Sequence, residues 1–357
     1  MLPLYTELSA AAQAAYSELF EAAHSLEIRR SIASLTGSFQ SKTIKGKLYW
    51  YYAFRDALEG RVRQLYVGPD SPAVTTLRER AQEPSNSALM RGHVRAAIAH
   101  GNSTFGGKQF RILRQLADSQ FFRAGGLLIG TQAYIALGNM LGVRWESATA
   151  TLDVDFAHAG PGGNLALALP ADMDANVHQA IDALDMGFLP SMTLDGKSSG
   201  TYTSATDLGL RLDFLTPSRR SDEPLYAPNL GVCLQPMKFL DYLIEHPVQG
   251  VVIANTGAVV VNLPDPARYA MHKLLVAASR PKSERTKALK DITQSAMLME
   301  YLLDHSPDAL LDAWAALNAR GTKWCQRARA SIDQLGHSAP QTHARWKAAV
   351  AVSETTD

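Results

Sequence analysis

Residues 127–142 read LLIGTQAYIALGNMLG and residues 151–157 read TLDVDFA. The first is an apolar run that reaches Gly130-Thr131 and passes into a helix-like pattern. The second has the alternation of a short strand. Side chains two apart in a strand share a face, so Asp153 and Asp155 stand side by side and Val154 points the other way. Two carboxylates that close need a counter-charge. A hard divalent cation supplies one, because Mg²⁺ is bound by carboxylate oxygens together with substrate phosphates. A glycine at the end of the preceding strand lets the backbone approach a phosphate, and the helix N-terminus and the Thr131 hydroxyl offer donors to it. Gly125-Gly126 competes for that role or serves close packing. The plain alternatives are a solvated strand edge for the aspartates and an ordinary strand-to-helix turn for the glycine.

The same alternation recurs in LGLRLDFL at residues 208–215, with Leu210, Leu212 and Phe214 on one face and Arg211 and Asp213 on the other. Asp213 is therefore a candidate third carboxylate from a second strand, or a strand carboxylate paired with Arg211. Around these runs, MDANVHQAIDAL (173–184) has a helical pattern, LALALP (165–170) is a further strand candidate, and KSSGTYTSATD (197–207) reads as a polar loop. QGVVIAN (249–255) and GAVVVNLP (257–264) have the look of a hairpin, and helices are expected from DPAR (265–268) to about residue 350. Towards the N-terminus, residues 3–35 carry an amphipathic helical pattern through Leu4, Leu8, Ala11, Ala12, Ala15 and Leu19. KTIKGKLYWYYAFRDALEGRVRQLYVG (42–68) reads as a hairpin turning at LEG. The pattern from Pro72 to about Phe121 is again helical.

The 357 residues suggest more than one structural region, with 46% apolar and 19% charged residues in the range of globular proteins. We expect an N-terminal helical and β-hairpin region over 1–118, an α/β core over 119–266 and a helical C-terminal region over 267–357. The two cysteines, Cys233 and Cys325, are too few for a disulfide framework and lack zinc-ribbon spacing, so a reducing cytoplasmic setting is expected. Glu7, Glu18 and Glu21 interrupt the apolar residues of the first segment, and no run is long enough to expect a membrane partner. The formal charge is only +1, yet its distribution is uneven. Residues 268–290 hold Arg268, Lys273, Arg280, Lys282, Arg285, Lys287 and Lys290 against Glu284, a local net of +6. Residues 40–67 carry a net of +4 interleaved with Tyr49, Trp50, Tyr51 and Tyr52. Such a strand offers stacking surfaces and cations to single-stranded nucleic acid. The plainer reading, a half-buried hairpin with Trp50 and Tyr52 in its core, is preferred. Gly196-Lys197-Ser198 ends like a phosphate loop, but the glycine required five positions earlier is Ser191. His158 and His272 read as structural residues.

A strand ending in hydrophobic-Gly-Thr, then a helix, then hydrophobic-Asp-hydrophobic-Asp-hydrophobic resembles the nucleotidyltransferase fold of the DNA polymerase β superfamily. With RYAMHKL (268–274) and KALKDI (287–292) added, the pattern is similar to the abortive-infection and toxin-type bacterial nucleotidyltransferases. The resemblance covers roughly residues 119–300. It departs from the family in its longer gap between Gly130 and Asp153. It implies an α/β (α+β) core with a mixed sheet, in which Asp153 and Asp155 bridge Mg²⁺ (or Mn²⁺) to an NTP, with Asp213 as metal ligand or general base. It places Lys273 and Asp291 in the nucleotide pocket. With Gly130, Thr131, Arg280 and Lys287 these complete the candidate nucleotide-binding set. Lys287 and Asp291 also have the i, i+4 spacing of a surface pair. The implied reaction moves an NMP from an NTP to an unknown acceptor, which is tRNA or another RNA, a protein or a small molecule, and releases pyrophosphate. The alternatives are a nucleic-acid-binding adaptor that has lost catalysis, or the toxin of a toxin–antitoxin or phage-defence pair, with an antitoxin protein as partner.

Overall fold

The structure is a computed structural model that describes residues 4–29, 37–55, 62–72, 74–75, 78, 87–146, 151–161, 175–192, 198–207, 209–218 and 222–356. In chain order the elements begin with β1 (Tyr5–Glu7), α1 (Ala10–Arg29), β2 (Gly37–Ile44), β3 (Lys47–Arg55), β4 (Val62–Pro69), α2 (Ser87–Ala99) and α3 (Gly107–Asp118). Next come β5 (Leu127–Ile129), α4 (Gly130–Leu141), β6 (Val143–Trp145), β7 (Val154–Ala157), α5 (Val177–Asp182), β8 (Phe188–Met192), β9 (Ser198–Ser204) and β10 (Arg211–Pro217). Then follow β11 (Leu225–Ala227), β12 (Val232–Met237), α6 (Leu240–Leu243), β13 (Val248–Ala254) and β14 (Gly257–Leu263). The C-terminal elements are α7 (Pro266–Ser279), a 3₁₀ turn (Lys282–Glu284), α8 (Arg285–His305), α9 (Pro307–Asn318), α10 (Thr322–Ser338) and α11 (Pro340–Thr356).

The result is a mixed α/β fold, as the motif order implies. Its main sheet runs β11-β12-β10-β7-β5, with β9 also paired to β10 and β8 to β9. Strand β10 is the centre. It runs parallel to β7 and, over its second half, parallel to β12, while its first half is antiparallel to β9. The β7/β10 register sets Leu212 opposite Val154, Asp213 opposite Asp155 and Phe214 opposite Phe156. On the core face, Phe156 and Phe214 stack with centroids 5.1 Å apart, and Phe121 meets their edges at 5.3 and 5.8 Å. A slip of one residue in either strand would drive that strand's aspartate into this aromatic core, so the apolar pair on one face fixes the alignment of the acidic pair on the other.

Two expectations need correction and one refinement. The polar run near residue 200 is not a loop: Ser198–Ser204 forms β9, bonded to β8 on one side and β10 on the other. Its Thr201, Tyr202 and Thr203 suit a pleated strand, and its polarity reflects what it faces, since Thr201 lies beside Asp213. The N-terminal helix is preceded by β1, which pairs antiparallel with β6. The aromatic-rich segment is a three-stranded sheet rather than a single hairpin. Strands β2 and β3 join through Lys45-Gly46, both at positive φ (49° and 77°), the geometry of a two-residue hairpin turn. The LEG turn between β3 and β4, the LALALP strand candidate, and Gly196 and Lys197 lie outside the described residues. The hairpin expected near residue 255 is present as β13 and β14.

The helical region builds the wall opposite the main sheet. Asp265 caps α7 by accepting from the Arg268 amide at 2.9 Å, and Pro266 occupies the first turn, where its missing N–H costs nothing. Helices α7 and α8 then pack on each other, with the buried Ser295 hydroxyl donating to the Ala270 carbonyl at 2.9 Å. Among the described residues, no helix is long and apolar enough to cross a membrane.

Candidate nucleotide site

The carboxylates collect at the start of β7 and β10. Asp153 sits one residue before β7 and Asp155 within it, both half-buried, and Asp213 is 5% exposed on the neighbouring strand. Loss of hydration pushes the Asp155 carboxyl up to about 6, and the negative charges of Asp213 and Asp153 add to the shift. Lys273 and Arg211 oppose it. Asp213 is pinned from two directions: Thr201 Oγ1 donates to its Oδ1 at 2.6 Å and Arg211 Nε to its Oδ2 at 2.8 Å. The strand that sequence patterning read as a polar loop therefore supplies one of these pins.

Gly130 closes the floor of this cluster. Its φ is +64°, and a Cβ there would fall 2.0 Å from Asp155 Oδ2. Both the left-handed backbone and the lack of room demand glycine, and the group it admits is the Asp155 carboxylate. The Gly130 carbonyl accepts from Tyr269 Oη at 2.8 Å, which ties the turn to α7. Thr131 follows in the first turn of α4 and is buried. Gly130→Ala is expected to lower stability by about 1–3 kcal/mol, the usual cost of such local strain, and to displace the Asp155 carboxylate. Gly92→Ala, inside α2 with nothing within 4 Å of the new methyl, is the unstrained control and is expected to raise stability by about 0.4–1 kcal/mol. Thermal melts of the two variants compare them directly.

The cations of residues 268–290 divide by helix face. Lys273 reaches Asp291 Oδ1 at 2.8 Å and lies 5.3 Å over the Tyr269 ring. Arg280 donates to Asp291 Oδ2 at 2.6 Å and to Glu284 at 2.7 Å. Burial alone would raise the Asp291 carboxyl, but Lys273 and Arg280 outweigh it and hold the group below its ordinary range. Asp291 is thus the buried anchor of two cations, and its i, i+4 spacing from Lys287 is not used. Lys287 points outward, 65% exposed and 3.5 Å from Glu284, so the structure does not bring it to the cluster. Arg268 is spent on Glu245 at 2.7 Å.

Lys290 was not singled out as a site residue by sequence patterning. It is half-buried, its ammonium is lowered first by lost hydration and then by Lys273, and the charges of Asp291, Asp155 and Asp153 act on it in the opposite sense. Among the described residues it has no ion-pair partner. Lys282 and Arg285 also have none among the described residues, but both are exposed, whereas the charges of Asp155 and Asp153 reach Lys290. Tyr269, one helical turn before Lys273, was also missed. The signal for both was the i, i+4 spacing around Lys273 and the direct neighbourhood of Asp291. His272, by contrast, is buried and lowered to about 3 by burial, with Lys273 adding to the effect, so it stays neutral inside the helical packing. His158 bonds the Ala124 carbonyl and the Gly160 amide, a structural role.

The donor set is compatible with a divalent cation in one form. Asp155 and Asp153 are crowded carboxylates whose mutual repulsion a cation would relieve, and Mg²⁺ is commonly held by one or two carboxylates plus phosphate. Asp213 already uses both oxygens on Thr201 and Arg211. Among the described residues, no three His, Cys, Asp or Glu side chains are arranged to hold a metal ion.

A family model described as "Nucleotidyltransferase" matches residues 108–318 of the chain, which spans the carboxylate strands, the Gly130 turn and both cationic helices. No curated protein and no solved structure matches.

Proposed function

The chain belongs to the nucleotidyltransferase family, and on that footing we propose that the cluster built on Asp153, Asp155 and Asp213 binds an NTP and Mg²⁺ and passes the nucleoside monophosphate to an acceptor hydroxyl. The observation that carries this reading is the pairing of Asp155 with Asp213 across parallel strands, with Lys290 on α8, which has no ion-pair partner among the described residues, within reach of the Asp155 and Asp153 charges. Asp153 and Asp155 would hold the metal, which when bound offsets negative charge on the phosphate oxygens. Lys290 meets the triphosphate as a point charge, and Lys273 stays beside it on Asp291. The acceptor oxygen bonds to the α-phosphorus while the bond to the bridging oxygen of the β-phosphate breaks, and pyrophosphate leaves. The hydroxyl proton passes to Asp213. Its oxygens already accept from Thr201 and Arg211, but an ionised carboxylate has about four lone-pair sites and retains capacity for one more proton donor.

Two measurements test this. Purified protein given each α-labelled NTP with Mg²⁺ or Mn²⁺ and total RNA or protein is expected to transfer label; no transfer with any NTP would remove the proposal. Lys290→Met is expected to weaken NTP binding about 10-fold, the loss of one charge-assisted contact. Lys287→Met should leave binding within about twofold, as befits an exposed surface pair. Equal effects from the two lysines would refute the assignment of Lys290.

A further inference from the structure

The sheet formed by β2, β3 and β4 has two unlike faces. On one, Tyr52 is 5% exposed and meets Phe39 edge-on at 4.9 Å, while Arg78 lies 3.3 Å over the Trp50 ring. That face is occupied by its own chain. The other face carries Tyr49, Tyr51 and Tyr66, with Tyr66 58% exposed. The rings of Tyr51 and Tyr66 are 5.5 Å apart, those of Tyr49 and Tyr66 are 6.3 Å apart, and Lys42 lies 4.7 Å over Tyr51. The register explains the grouping: Gln40 pairs with Tyr51, Tyr51 with Tyr66, and Lys42 with Tyr49, and the irregularity after Trp50 keeps Tyr66 on this face.

The charge is of one sign. Residues 37–55 and 62–69 contain Lys42, Lys45, Lys47, Arg55 and Arg63 and not a single Asp or Glu. Exposed aliphatic surface on this face is confined to Ile44 and Val62, at opposite ends of the sheet. An apolar protein partner would want a continuous aliphatic patch. Adjacent tyrosine rings interleaved with lysines instead suit unstacked bases and their phosphates. Gln40 and Gln64, joined by a 2.9 Å hydrogen bond beside the rings, set amide groups where a ribose 2′-hydroxyl has a partner.

We propose that the tyrosine face of the β2–β3–β4 sheet binds single-stranded RNA. This concerns binding alone and stands apart from the transferase reading. Of the two expectations for this segment, the half-buried hairpin holds for the Trp50/Tyr52 face, and the nucleic-acid reading belongs to the opposite face.

The test is fluorescence anisotropy of the full chain with a labelled single-stranded RNA 12-mer, a DNA 12-mer of the same sequence and the RNA duplex. The expected result is salt-dependent binding of the single-stranded RNA, with the DNA and the duplex weaker. Tyr66→Ala, an exposed position that leaves the sheet's bonds in place, should weaken RNA binding at least about 10-fold. Lys42→Gln should flatten the salt dependence by about 0.7 in log–log slope. Asp155→Asn should bind RNA like the parent, so that loss of transfer and loss of RNA binding are scored separately. Absence of binding, DNA bound as tightly as RNA, or Tyr66→Ala and Lys42→Gln both binding as the parent does would overturn the proposal.

Discussion

Asp155→Asn is expected to cut nucleotidyl transfer by at least about 100-fold, the scale seen when one preorganised charge-stabilising group is removed from an active site. The fold should persist or become more stable. Asparagine keeps the shape beneath Gly130 but removes a charge that burial and the neighbouring Asp213 and Asp153 make costly. The sign follows from the shift. A carboxyl raised from 3.8 to about 6 in the folded protein takes stability away as the pH climbs through that range, and the amide has no such loss. Transfer of label from an NTP and a thermal melt at pH 7 on the same preparation separate the two effects. A variant that transfers normally, or one that loses activity only because it unfolds, would sink the assignment. A site that is costly to maintain and necessary for turnover is the usual mark of function traded against stability.

Asp291→Asn should behave in the opposite way. Its side chain is 4% exposed and neutralises Lys273 and Arg280 together, so the substitution leaves two cations sharing a site from which water is largely excluded. Breaking a buried pair on one side costs about 3–5 kcal/mol. Arg280 retains Glu284, so the lower end of that range is expected. The pH dependence has its own signature. The folded-state carboxyl lies below the ordinary value of 3.8, so its contribution is complete above that value and is lost as pH falls towards and through the lower one. Urea unfolding between pH 3 and 7 should show the parent losing stability at the acid end more steeply than Asp291→Asn. Glu284→Gln, at an exposed partner in the same network, should change stability far less than Asp291→Asn. If Asp291→Asn melted like the parent, the buried anchor described above would be wrong.

What sequence could show followed the range of the interactions. Gly130, Asp153 and Asp155 announce themselves through local pattern, because strand alternation and a glycine at a strand-to-helix turn need only a few consecutive residues. Asp213 is legible as a strand carboxylate for the same reason. That it stands level with Asp155 is not, since register arises from Phe156 and Phe214 on the far side of the sheet, residues 58 positions apart in the chain. The cationic run shows the complementary failure. Seven basic residues look alike in sequence, and only the packing of α7 on α8 turns Lys273 and Arg280 inward to Asp291, sends Lys287 to solvent and leaves Lys290 half-buried within reach of the Asp155 and Asp153 charges. Strand β9 was hidden by its polarity, which makes sense once Thr201 is seen bonding Asp213. Lys45-Gly46 carried a hairpin signal that a preference for the LEG turn obscured.

The parallel pairing of β7 with β10 has an evolutionary corollary. Parallel neighbours cannot be joined by a tight turn. The chain therefore leaves β7 after Ala157, which lies opposite Leu215, and has to come back to the other end of the ladder to begin β10 at Arg211. The register of the two carboxylates is set by the ladder between β7 and β10, and β9, which lies in the intervening segment, holds Asp213 through Thr201. Selection can therefore vary the intervening segment outside β9 while the alignment of Asp155 with Asp213 is inherited unchanged.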